Sequence, residues 1–157
     1  KTGSTSQALY CLSATANRND MDLIAVVLAA PSPTARFQEA MKMLDYGFAN
    51  YKVVKGELPG TVMGNVVVRK GEETEVCAMV ETLVSNVTEK GNNSELVSEV
   101  TIYEVVDAPV AVGDIVGEII YIYEGAEIGR SNLVAEEAVE RAGFVKMLGR
   151  VYEKWFE

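Results

Sequence analysis

Between residues 62 and 134 short apolar runs recur every 8 to 15 residues, each closed by turn-forming residues, and no arrangement of long helices accommodates that spacing. The runs are Val62 to Arg69, Glu75 to Val84, Leu96 to Val106, Ile115 to Tyr123 and Glu127 to Val134. Lys70-Gly71, Lys90-Gly91-Asn92-Asn93, Pro109 to Gly113 and Glu124-Gly125 separate them. They predict a small all-β sandwich or barrel over residues 55–135.

The first 54 residues have a different texture. Residues 8–16 and 22–30 are apolar runs joined by the polar turn Asn17-Arg18-Asn19-Asp20, which predicts a hairpin of two buried strands. Pro31-Ser32-Pro33 stops the second strand, and Ser32 or Thr34 can cap a helix over residues 34–50 whose buried stripe is Phe37, Met41, Leu44 and Phe48. A domain boundary is expected near residues 52–60. Helical periodicity returns over residues 136–157, where Phe144, Met147, Leu148, Val151, Tyr152 and Trp155 share one face and Lys146, Arg150 and Lys154 project from the opposite arc. The expected class is α+β: a hairpin with a helix, a β-sandwich, and an amphipathic C-terminal helix.

Composition narrows the chemistry. The 157 residues contain no His, two Cys, 14 Lys+Arg and 23 Asp+Glu. Without His there is no imidazole triad or imidazole metal site, and two cysteines cannot by themselves close a zinc site, so no metal or cofactor is expected. A net charge of -9 argues against nucleic acid as a partner, because phosphate binding needs clustered Lys and Arg. Cys11 and Cys77 lie in apolar stretches, which leaves buried thiols and a bridge equally open. The carboxylates Glu72, Glu73, Glu75, Glu136 and Glu137 have no spacing that demands a metal.

Lys1-Thr2-Gly3 leads directly into a strand. A Lys, a small hydroxyl residue and a Gly at a strand edge suit carboxylate recognition beside a nucleophilic Ser. The Gly clears a side chain so that substrate backbone can lie along the strand. Ala40-Met41-Lys42-Met43 matches the biotinyl-lysine sequence of carrier domains, but a carrier lysine stands at a hairpin tip and Lys42 falls on the polar side of a helix. Asn86-Val87-Thr88 and Asn92-Asn93-Ser94 fit a glycosylation pattern that is common by chance and read better as turns. The C-terminal helix either packs on the sandwich or lies in a membrane interface, where aromatic residues opposite a Lys/Arg face suit anionic headgroups.

Several motifs fall in one order: Lys1-Thr2-Gly3-Ser4-Thr5, Tyr10-Cys11-Leu12-Ser13-Ala14-Thr15-Ala16, Leu23 to Leu28, Arg36, and Leu44-Asp45-Tyr46-Gly47-Phe48. This series resembles the end of the penicillin-binding (β-lactamase-like) domain of serine D-alanyl-D-alanine carboxypeptidases. Ala108-Pro109-Val110, Gly113 to Gly117, Tyr121 to Gly125 and the closing Trp155-Phe156 resemble the same family's C-terminal β-domain and terminal helix.

The resemblance implies an extracytoplasmic enzyme of the bacterial cell envelope, peripheral to the cytoplasmic membrane. It would remove the terminal D-Ala of peptidoglycan stem peptides through an acyl-Ser and be acylated by β-lactams. By the same resemblance Lys1, Thr2 and Gly3 are the catalytic strand, Ser4 supplies an oxyanion N–H and Thr5 lines the substrate. Phe144, Leu148, Val151, Trp155, Lys146, Arg150 and Lys154 are the membrane-interface candidates. None of the eight serines has Lys three residues on or Asn two residues on, so the nucleophile motifs of the family are missing. The expectation is the C-terminal portion of a longer enzyme, inactive alone, whose residues 1–54 are covered by another chain or a swapped copy. The alternative is a non-catalytic module that docks a partner or a membrane surface.

Overall fold

The computed structural model describes residues 1–91 and 94–153, with the side chains of the last helix as far as Gly149. In chain order it runs β1 (Thr2–Thr5), β2 (Leu9–Arg18), β3 (Met21–Ala30), α1 (Pro33–Asn50), β4 (Tyr51–Lys55), β5 (Val62–Arg69), β6 (Glu75–Val80), β7 (Ser85–Glu89), β8 (Val97–Ile102), β9 (Val105–Asp107), β10 (Ile115–Tyr123), β11 (Ala126–Ala135) and α2 (Phe144–Glu153). Contacts divide it into one compact unit of residues 1–54 with 86–93, and a second of residues 55–85 with 94 onward.

In the first unit β1, β2 and β3 form an antiparallel sheet in that order. Asn19 and Asp20 both take positive φ (51° and 59°) and close the β2–β3 hairpin with Arg18 opposite Met21. Such a two-residue turn matches the right-handed twist of the strands, and Asn and Asp tolerate it. The Ser32 hydroxyl accepts from the Ala35 N–H at 3.0 Å, and Pro33 follows at the first helical turn, so α1 starts there. Leu12, Ala25 and Ala40 are buried between helix and sheet, with Ala14, Val27 and Leu44 around them. A methyl group on Gly47 would sit 2.5 Å from Leu23 Cδ1, so the glycine sets how closely α1 approaches β3.

The buried stripe differs from the one the spacing predicts. Leu44 and Phe48 do face inward, but Phe37 and Met41 are 49% and 60% exposed. The three strands cover the arc through Ala40, Leu44 and Gly47, and the adjoining arc through Phe37 and Met41 lies beyond them. The opposite sheet face is bare as well: Ile24, Val26 and Leu28 are 71%, 58% and 72% exposed. β4 pairs with β7, which accounts for the place of residues 86–93 in this unit.

The second unit is mostly β and sandwich-like, built on a six-stranded sheet of order β8-β10-β11-β6-β5-β9. β9 runs parallel to β5, and the other pairs are antiparallel. Ile119, Tyr121, Leu133, Val66, Val76 and Val80 interleave from alternate positions of their strands to form the core. The Tyr121 hydroxyl reaches out of it to accept from the Glu57 N–H at 3.0 Å, which satisfies the one polar atom on that ring. Burial pushes this phenol above its ordinary pKa.

Residues 136–143 are not helical. Val139 pairs with Val110 through two backbone hydrogen bonds of 2.9 and 2.8 Å, and the Ala142 N–H donates to the Lys70 carbonyl. These bonds engage groups that a helix would satisfy internally, so α2 begins only at Phe144.

Candidate functional site

β1 has β2 on one side and, among the described residues, no strand on the other. Its register sets Thr2 opposite Leu12, Gly3 opposite Cys11, Ser4 opposite Tyr10 and Thr5 opposite Leu9. All four residues are exposed, as is Lys1, whose carbonyl accepts from the Ser13 N–H at 2.9 Å. A Cβ on Gly3 would meet nothing within 4 Å, so the backbone there borders open space. The Thr5 hydroxyl accepts from the Ala8 N–H at 2.9 Å and closes the β1–β2 turn. Cys11 Sγ donates to the Ala8 carbonyl at 3.3 Å. Both cysteines are free thiols.

Arg36 belongs to this site, although the sequence alone gave it no role. From the first turn of α1 its Nη1 reaches the carbonyls of Gly3 and Cys11, each at 3.4 Å, and so straps the edge strand to its neighbour. Its guanidinium stacks on Phe37 at 5.1 Å and on Tyr10 at 5.8 Å from the ring centroids. Nε is buried without a hydrogen-bond partner. The sequence signal was modest: a cation one turn into a capped helix, beside an aromatic residue.

The arrangement is an exposed extended backbone with an ammonium at its start, a clear lane beside Gly3, and a guanidinium fixing the strand from behind. An extended peptide can add to such an edge through main-chain hydrogen bonds while its terminal carboxylate meets Lys1. Among the described residues no group of His, Cys, Asp and Glu could hold a metal ion, and no helix is long and apolar enough to cross a membrane.

On α2, Phe144 and Leu148 are 78% and 60% exposed, so the first two turns present an apolar surface to solvent. Lys146 Nζ lies 4.0 Å from Glu73 Oε1. The side chains of Arg150 and Val151, and residues Lys154 and Trp155, lie outside the described residues.

Residues 51–141 match the family model of the penicillin-binding protein 5 C-terminal domain, and the chain belongs to that family. Its relatives agree. The chain is 30% identical over 156 residues to D-alanyl-D-alanine carboxypeptidase DacF of Bacillus subtilis (strain 168), which covers 99% of this chain and 40% of that protein. It is 34% identical over 154 residues to D-alanyl-D-alanine carboxypeptidase DacC of Escherichia coli (strain K12), covering 98% and 38%. The crystal structure of penicillin binding protein 5 from Haemophilus influenzae superposes with a TM-score of 0.69 at 31% identity, over 90% of this chain and 42% of that one. The chain thus spans about two fifths of the length of the curated relatives it matches.

Proposed function

We propose that this chain is the C-terminal part of a serine D-Ala-D-Ala carboxypeptidase of the bacterial cell envelope, and that β1 is its substrate-binding strand. The observation that carries the reading is the free edge of β1, with Lys1-Thr2-Gly3 exposed on it and open space beside Gly3. In this reading the first unit is the end of a penicillin-binding domain. A stem peptide ending in D-Ala-D-Ala lies antiparallel along β1, Lys1 pairs with its terminal carboxylate and the Thr2 hydroxyl hydrogen-bonds to it. The Ser4 N–H stabilises the oxyanion that forms when a Ser supplied from elsewhere attacks the scissile carbonyl. Thr5, whose hydroxyl is engaged in the turn, contributes backbone alone. The bare face of Ile24, Val26 and Leu28 and the arc of Phe37 and Met41 are the surfaces that further polypeptide, or a second copy, would cover.

Incubation with fluorescent penicillin should leave no heat-stable adduct on this chain alone, because none of its serines carries the Ser-x-x-Lys spacing of an activated nucleophile. A stoichiometric adduct, read on a denaturing gel, would overturn the assignment of the nucleophile to a missing part.

A second reading rests on α2. Its exposed Phe144 and Leu148, on a segment that also carries Lys146, Arg150 and Lys154, suit a peripheral docking helix on an anionic membrane surface. Burial of two such side chains contributes about 1.5–3 kcal/mol each before ordering costs, enough for reversible attachment only. Co-sedimentation with anionic vesicles should fall on deletion of residues 144–157; equal recovery of both forms would reject the attachment.

A further inference from the structure

The sheet of the second unit ends in β9 on one side and β8 on the other, and the two edges present different things. β9 is three residues long, and its Asp107 is tied to Arg69 at 2.9 Å. β8 runs six residues, paired with β10 without a register shift, and among the described residues no strand lies on its other side. The Tyr103 N–H donates to the Val116 carbonyl at 2.9 Å, one step beyond the pair of Ile102 and Gly117. Bonded pairs alternate along an antiparallel ladder, so Val97, Glu99 and Thr101 turn their backbone groups to β10 while Ser98, Val100 and Ile102 turn theirs outward. A Cβ on Gly64 would stand 2.7 Å from Ile102 Cδ1, so β5 packs at that end. Ser98 and Val100 are exposed, and their outward groups stay open.

Sheet edges are commonly guarded by Lys, Pro or a bulge, and β8 has none of these. It carries carboxylates instead: Glu99 at its middle, with Glu95 and Glu104 beyond its ends, all exposed and, among the described residues, without an ion pair or hydrogen bond. Arg130 is the one cation of β8, β10 and β11, and Glu127 and Glu118 already hold it, at 2.9 and 3.6 Å. Residues 94–141 contain eleven Asp and Glu against two Arg. A second copy of β8 pairing on this edge would set these carboxylates against themselves, and like charges across a ladder destabilise it. A cationic strand gains where a copy of this chain loses.

We infer that the edge of β8 binds an extended basic peptide by strand addition. The peptide pairs with the outward N–H and C=O groups of Ser98 and Val100, a Lys or Arg side chain stands opposite Glu99, and the next residue, apolar, lies against Val100. Acetyl-Lys-Val-Lys-Val-Lys-amide is the probe, titrated into the ¹⁵N-labelled full chain. Saturable shifts should centre on Ser98 to Thr101, and the Ser98 and Val100 amides should gain protection from hydrogen exchange. The same peptide with both valines N-methylated keeps its charge and bulk but cannot donate to the edge, and should bind about tenfold more weakly. Acetyl-Glu-Val-Glu-Val-Glu-amide, with its backbone intact and its charge reversed, should give no saturable shift. Val100→Pro removes an outward N–H and leaves the ladder to β10 intact, so it should weaken the probe by about fivefold or more with the amides of β10 and β11 unmoved. Glu99→Gln is the second variant and should weaken it by about threefold. Full affinity of the N-methylated peptide, an equal response to the acidic peptide, or unchanged affinity in both variants would each overturn the assignment. So would concentration-dependent shifts at Ser98 and Val100 without peptide, the mark of a second copy on this edge.

Discussion

Gly117→Ala is expected to lower the melting temperature of the second unit by about 10 °C or more, the consequence of roughly 2–3 kcal/mol of overpacking. A Cβ at this position would stand 2.4 Å from the Thr101 carbonyl oxygen and 3.0 Å from Ile102 Cα, both backbone atoms of the paired strand β8. A side chain can rotate away from such a clash, whereas a strand fixed by its ladder must shift as a whole. β10 shifts register against β11 between Ile115 and Gly117, so the close approach coincides with a local irregularity in the central ladder. Gly129→Ala tests the distinction: its Cβ would meet Val84 Cγ1 at 2.6 Å, a side-chain atom, and should cost less. Gly143→Ala, with nothing within 4 Å, should be near neutral. Thermal unfolding followed by circular dichroism ranks the three, and a Gly117→Ala melt equal to that of Gly143→Ala would contradict the proposed close approach.

The second large effect concerns β1. In the longer polypeptide that the proposed function requires, Lys1→Ala should slow acylation by a β-lactam by about 10²–10⁴-fold, the usual contribution of a positioned proton-transfer group. The same change should leave the fold alone, because Lys1 is exposed and joins the sheet only through backbone. Ser4→Ala should change the rate little, since its assigned role belongs to the N–H. Stopped-flow measurement with a fluorescent penicillin separates the two. Comparable rates for Lys1→Ala and the parent would remove Lys1 from the active site.

Much of this was legible in the sequence where one face of an element is buried and the other is wet. β5 and β10 fall on the residues that alternation and turn signals mark, because Val66, Val68, Ile119 and Tyr121 obey the period of two. β7 was not legible: Ser-Asn-Val-Thr-Glu buries no residue fully, and pairing with β4, thirty residues earlier, holds it. The run from Leu96 to Val106 breaks into β8 and β9 because the chain leaves one edge of the sheet and joins the other, a choice that depends on partners and not on local propensity. The helical stripe of α1 was legible as a period, but which part of it is covered depends on how many strands lie beneath. At the candidate site the Lys-Thr-Gly strand could be read directly. The strap from Arg36 could not, since it joins residues distant in the chain.

The return of β7 to the first unit means that the polypeptide crosses between the two units three times, near residues 54, 85 and 93. A single proteolytic cut at any one crossing therefore leaves both units joined by the other two. For the same reason the second unit is not a cassette that one contiguous stretch of gene can encode without also carrying an orphaned strand. The family match starts at Tyr51, the first residue of β4, and runs past β7, so both partners of that ribbon lie within it. Shuffling at residue 51 would preserve the β4–β7 pair, while shuffling at residue 55 would split it.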